Sequence, residues 1–271
     1  IIARLLSPAM SERMGQQIGI DNRAGASGQI GRELLKNATP DGYTIGVGQG
    51  GNLVVAPHTY KKLAYDPLKD FAGVALNATN YLAVVANPNV PFRNAAEMIA
   101  WAKANPGKLS LATNGEGGYP HLAFELLASM AGFKFLHVPY KGAMQISTDV
   151  ISGQVQLGVG SYTSLSPHVQ SGRMRLIGVT NHVRVPTNRE LPIFADVVPG
   201  YDMRGWFGYI APAATPREIV RRLNEEVNRA MQQPEVNAKL VGAGLIVANE
   251  SAEFFDEFIK TEYAKYGKIV R

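Results

Sequence analysis

Three joints in this sequence place glycine, hydroxyl and amide residues where a strand gives way to a helix, and such joints can hold an anion. In Thr113-Asn114-Gly115-Glu116-Gly117-Gly118-Tyr119-Pro120-His121, an apolar run leads into a helix, so Gly117, Gly118 and Tyr119 would offer backbone N–H groups at a positive helix end. That is the chemistry of a carboxylate or phosphate cradle, and the competing reading of the same residues is a plain flexible loop. His121 taken alone reads as a helix residue hydrogen-bonded to its own scaffold rather than as a base. Pro139-Tyr140-Lys141-Gly142 and Gly158-Val159-Gly160-Ser161-Tyr162-Thr163-Ser164 repeat the arrangement, with Tyr140, Ser161 and Tyr162 as further donors.

Gly46-Val47-Gly48-Gln49-Gly50-Gly51 has GxGxxG spacing directly after a strand, the pattern of a dinucleotide loop. Its context does not fit. Only Asn52 to Ala56 separates it from Pro57, too short for the helix that must receive a pyrophosphate, and no acidic residue closes a second strand about twenty residues on. A tight ligand loop over Gln49, Gly50, Gly51 and Asn52 is the reading preferred over a cofactor site. Gly160-Ser161-Tyr162 lacks the GxSxG elbow of a nucleophilic serine. The five histidines, at 58, 121, 137, 168 and 182, have no metal-ligand spacing, and the chain has no cysteine. No metal, cofactor or catalytic residue is expected.

The elements that position these joints follow an α/β rhythm. The chain has 271 residues, 46% of them hydrophobic, enough for a sizeable core, and its apolar runs are far short of the ~20 residues of a bilayer span. Strands are expected at Gln17–Ile20, 43–47, 71–76, 81–86, 109–113, 135–138, 155–159, 176–180 and 206–210, alternating with helices, and this predicts a mostly parallel sheet. Asn94 with Glu97 marks one helix start, and Thr215-Pro216-Arg217-Glu218 another, with Thr215 as the cap. The first helix, from Ile1, lacks a cap, so the numbered chain is expected to begin inside its first βα unit, with a signal peptide and first strand upstream. The net charge is +5, with Lys61-Lys62 and Arg221-Arg222 the only basic doublets. That scatter fits a small anion and argues against nucleic acid.

Several segments carry a likeness, in order and over nearly the whole chain: Asp21-Asn22-Arg23-Ala24-Gly25, Pro40-Asp41-Gly42-Tyr43-Thr44, Tyr65-Asp66-Pro67-Leu68-Lys69-Asp70-Phe71, Ala104-Asn105-Pro106-Gly107-Lys108-Leu109, His137-Val138-Pro139-Tyr140-Lys141-Gly142, and Trp206-Phe207-Gly208 with Ala211-Pro212. Together they resemble the Bug family of extracytoplasmic solute receptors of tripartite tricarboxylate transporters. The resemblance implies a periplasmic, monomeric, non-catalytic receptor of the type II periplasmic-binding-protein class. Two α/β lobes with a hinge would close a ligand cleft, like a Venus flytrap, on a small mono- or dicarboxylate, aromatic acids included, for delivery to a membrane permease. An enzyme acting on a carboxylated substrate, or an orphan receptor presenting its closed form to a signalling partner, is the alternative.

Lobe one is expected to be 1–104 with 212–271, and lobe two 105–211, with Trp206–Ala211 among the crossing segments. By the resemblance, the ligand loops are Gln49, Gly50, Gly51 and Asn52 in lobe one. In lobe two they are Asn114, Gly117, Gly118, Tyr119 and His121, with Tyr140, Gly160, Ser161 and Tyr162 beside them. Many relatives carry Ser or Thr near Tyr119, so either its ring and hydroxyl select the ligand, or the ring packs on the lobe surface and does not meet it. Gly160-Ser161 replaces an Asp-Asn found in some relatives, which disfavours an amino-acid ligand.

Overall fold

Apolar residues at helical spacing fold Ile2–Met14 into α1, whose Ile2, Leu6 and Met10 are buried. The computed structural model describes residues 2–23, 28–60, 62–140, 142–182, 184–185 and 188–269; Ile1, Ala24, Gly25, Lys61 and Lys141, which figure in the sequence patterns, lie outside them. Two units emerge from the packing, Ile1–Thr79 with Trp206–Arg271, and Asn80–Gly205.

The first unit contains α1, α2 (Gln29–Lys36), β1 (Gly46–Gln49), a π-helical turn Gly51–Val55 running into α3 (Ala56–Thr59), and the first part of β2 (Phe71–Ala86). It is completed by most of β7 (Arg204–Pro212), α8 (Arg217–Gln232), α9 (Pro234–Gly242), β8 (Ile246–Val247) and α10 (Ala252–Ile269). Its strands lie in the order β1-β7-β2-β8, with β1 antiparallel to β7 and β8 antiparallel to β2. The core joins Leu6 and Met10 of α1, Val74 and Ala75 of β2, and Val220, Val227 and Met231 of α8.

The second unit contains the remainder of β2, α4 (Ala95–Ala104), β3 (Ser110–Thr113), α5 (Tyr119–Ala131), β4 (Leu136–Pro139), α6 (Ala143–Ser152), β5 (Leu157–Ser161), α7 (Tyr162–Gln170) and β6 (Arg175–Val179). Asn94 caps α4 as its spacing predicts: the Glu97 amide donates to Asn94 Oδ1 at 2.9 Å and Asn94 Nδ2 donates to Glu97 Oε1 at 2.8 Å. The sheet order is β6-β2-β5-β3-β4. At Gly158 an added Cβ would lie 2.9 Å from Ile146 and 3.0 Å from Val150, so glycine lets α6 rest directly on β5.

Four expectations are corrected. Residues 71–76 and 81–86 are one strand, and β2 runs antiparallel to β5, β6 and β8, so the sheet is mixed rather than mostly parallel. The reason is directional: β2 enters the second unit against the sense of the strands that begin within it. Gln17–Ile20 forms no strand; the Ile18 amide donates to Ser11 Oγ instead. Thr215 does not cap α8, which starts at Arg217 after Pro216, and its hydroxyl is buried without a partner. The chain passes between units at 79/80 and 205/206, not at 104/105 and 211/212. β2 carries the chain onward as one continuous strand, and α4 packs on β6.

Candidate functional site

In the second unit β5, β3 and β4 are adjacent and parallel, with Leu111 beside Leu157 and His137, and Thr113 beside Pro139. Their carboxyl ends therefore share one edge of the sheet. Each is followed by a helix whose first turn begins there: α5 at Tyr119, α6 at Ala143 and α7 at Tyr162. First-turn amides have no acceptor inside their own helix, and three positive helix ends share this edge. In α5 the first intrahelical amide bond runs from Leu122 to Gly118 O at 3.0 Å, and Pro120 has no N–H, so the His121 amide is the one left over in that turn. Ser161 precedes α7 without spending its hydroxyl on a cap, and it stays partly exposed. Tyr162 packs its ring 5.3 Å from that of Tyr81, whose phenol is pushed up to about 12 by burial and by Tyr162.

Other residues expected at the site are spoken for. The Gly117 amide donates to His121 Nδ1 at 3.0 Å, so it is not available to a ligand. His121 Nε2 faces Glu125 Oε1 at 3.2 Å, which occupies both ring nitrogens. As the residue types suggested, His121 serves its own scaffold. Tyr140 continues the ladder, its amide donating to Thr113 O, while its hydroxyl donates to Asp149 Oδ2 at 2.6 Å; burial and Asp149 push that phenol up to about 12. The Tyr119 hydroxyl is buried, and the partly exposed remainder of the side chain is what faces outward. Asn114 is exposed in the same loop, and Gly160 lies at the end of β5.

In the first unit Gln49 to Asn52 bend from β1 into the π-helical turn. The Gln49 amide donates to Asn52 Oδ1 at 3.2 Å, and the buried Tyr65 hydroxyl donates to Asn52 O. An added Cβ at Gly50 would sit 3.1 Å from the Trp206 indole nitrogen, so glycine allows that close approach, and nothing lies within 4 Å of one at Gly51. The turn passes straight into α3, in keeping with a tight loop and without the long helix that a dinucleotide needs.

Two groups escaped the sequence reading. Arg32 is buried, donates to Val47 O, and keeps its Nε without a partner; burial lowers its pKa. Asn181, just beyond β6, is fully buried with neither amide atom paired. Nothing in their local sequence announces either, because their burial is set by distant elements. Arg204, the residue that could replace a backbone cradle, is held by Asp202 at 3.1 Å. A cavity of about 400 Å³ lined by Lys103, Pro106, Phe133 and Lys134 opens at the amino ends of the strands, away from the helix starts. Among the described residues there is no cluster of three metal-ligating side chains, and no helix is long and apolar enough to cross a membrane.

This α/β chain of two units, with three helix starts on one sheet edge, has the fold of a periplasmic solute-binding protein. Two solved proteins of Rhodopseudomonas palustris share it: Rpa4515, solved with adipate (31% identical, TM-score 0.80, covering 99% of this chain and 90% of that one), and MatC, solved with bound malate (27% identical, TM-score 0.77, covering 100% and 93%). A UPF0065 protein from the tcbD-tcbE intergenic region of Pseudomonas sp. strain P51 is 38% identical over 271 residues, 99% of this chain and 80% of that protein. The chain belongs to the family described as tripartite tricarboxylate transporter family receptor, whose pattern matches residues 2–271, in agreement with the Bug resemblance. Members of the family are periplasmic solute-binding receptors and not enzymes, which sets the enzyme alternative aside.

Proposed function

We propose that this protein is a monomeric periplasmic receptor that captures a small organic mono- or dicarboxylate and delivers it to the membrane permease of a tripartite transporter. The observation that carries the reading is the convergence of the α5, α6 and α7 starts on one sheet edge, where the His121 amide, the Ser161 hydroxyl and the first turns of α6 and α7 can receive a carboxylate. Adipate and malate in the two Rhodopseudomonas relatives support a carboxylate as the ligand class. In the first unit, the loop Gln49–Asn52 is proposed as a ligand loop.

Isothermal titration with adipate and malate, with adipamide as the uncharged control, tests the reading. A ligand at one hundred times its dissociation constant should stabilise the protein by about 2.7 kcal/mol, seen as a raised melting temperature. Equal responses to adipate and adipamide would overturn the anion cradle. Delivery is tested by uptake of the labelled acid into cells carrying the permease with and without this receptor; equal uptake would refute it.

A further inference from the structure

The loop that links β3 to α5 is fastened by two imidazoles from different elements. His121 on α5 and His137 on β4 stack with ring centroids 3.8 Å apart and planes 9° from parallel. His121 Nδ1 accepts the Gly117 amide at 3.0 Å, so in the observed arrangement that nitrogen carries no proton, and Nε2 donates toward Glu125. Thr113 Oγ1 lies 3.1 Å from Gly115 O, to which it donates, and 2.7 Å from His137 Nε2. Both rings hold the backbone of the loop, one at Gly117 and the other through Thr113 at Gly115. Gly115 and Gly117 have φ of +120° and +66°, conformations that glycine adopts readily.

We propose that His121, stacked on His137, is the positioning residue of the carboxylate loop, and that protonation of His121 releases the loop and weakens ligand binding. The inference rests on the receptor reading above and deepens it. A proton on Nδ1 would turn the acceptor of the Gly117 amide into a second donor facing it, and the stacked partner leaves little room for a positive charge. The groups around the pair bear this out. Glu125 on α5 and Glu116 in the loop are the acids. β3 and β5 contribute no titratable side chain, and Phe135 meets the His121 ring at 6.4 Å edge-on. Tyr201, whose hydroxyl donates to Ala123 O of α5, is kept protonated by burial. Burial first, and then His121, hold His137 below the usual imidazole range, with Glu116 opposing.

The test compares wild type with His121→Asn and His121→Leu, titrating malate from pH 7.5 to 5.5. Asparagine places Oδ1 near the former Nδ1 and cannot be protonated, whereas leucine removes the acceptor. The expected result is that the affinity of His121→Asn changes with pH only as the protonation of malate itself requires. Wild type should then lose affinity more steeply on acidification, by up to about tenfold per pH unit beyond the loss that both proteins share through protonation of malate itself. His121→Leu should lose at least about tenfold at every pH, one hydrogen bond's worth of positioning. Superimposable pH profiles for wild type and His121→Asn would overturn the proposal. Should His121→Leu fail to fold, the Gly117 amide resonance of wild type decides: it must titrate together with the His121 ring, and an amide indifferent to the ring refutes the switch. Absence of malate and adipate binding in all three proteins at pH 7.5 would instead overturn the receptor reading, since the Gly117 titration is measured without ligand.

Discussion

Replacing Glu226 by glutamine should cost this protein a large part of its stability, and the cost should depend on pH. The Glu226 side chain is fully buried on α8 with three guanidinium groups around it: Arg13 Nε at 2.6 Å, Arg222 Nη2 at 3.1 Å and Arg229 Nη1 at 3.2 Å. Arg13 comes from α1, so this contact fastens the two helices together. Arg222 and Arg229 are 59% and 51% exposed and would return to water when the charge is removed. Each therefore contributes only the few tenths of a kcal/mol of a surface pair. The Arg13 bond is different: it is charge-assisted, with a buried acceptor, and is worth about 1.5–3 kcal/mol. Glutamine keeps the shape, yet turns one acceptor into an NH2 that faces guanidinium N–H groups. The expected loss at neutral pH is about 2–3 kcal/mol by urea denaturation, or a melting temperature lower by about 4–12 °C.

The sign of the pH dependence follows from the carboxyl group. The Arg13 hydrogen bond, with Arg13, Arg222 and Arg229 as charges, holds Glu226 below the usual carboxylate range against the opposing effect of burial. A depressed folded pKa stabilises above the unfolded glutamate value of about 4.3, and that stability is lost as pH falls through the folded value. The gap between wild type and Glu226→Gln should thus be constant from about pH 8 to 5.5 and close toward about pH 3. A gap of the same size at pH 7 and pH 3, or a loss below about 0.5 kcal/mol at pH 7, would refute the reasoning.

Gly118→Ala should fold normally, because at φ −71° its Cβ meets Gly115 O at 3.4 Å and Pro120 Cδ at 3.9 Å. It should nonetheless weaken malate or adipate binding by about tenfold in calorimetry, by obstructing approach to the α5 amides. Gly208→Ala should destabilise by more than about 3 kcal/mol in urea, since its Cβ would collide with the Phe255 ring and lie 2.7 Å from the backbone oxygen of Ala75, which is locked in β2. Asn94→Ala should cost about 1 kcal/mol, independent of ligand, by releasing the Glu97 amide at the start of α4.

What the sequence determined by itself was local. Alternating apolar runs and turn residues marked most of the strands and helices. The Asn94 and Glu97 spacing announced a capped helix, and glycine-rich joints marked where helices would start, because caps, turns and helix ends depend on residues within a few positions of one another. The family motifs were likewise legible, being short and ordered along the chain.

Tertiary structure decided what depends on register and direction. The sense of β2 among its neighbours reflects how the chain enters the second unit, which no period of two or 3.6 encodes. Gly117 was legible as a free amide, yet its N–H is taken by His121. His121 is in turn stacked on His137, sixteen positions away, because β3 and β4 pair so as to put Leu111 opposite His137. Arg13 and Glu226 meet across 213 positions, and Arg32 and Asn181 are buried by elements remote from them in sequence. Desolvation and pairing between distant side chains are properties of the packed chain. Local composition carries no trace of them, and they decide which of the polar groups visible in the sequence remain free to meet a ligand.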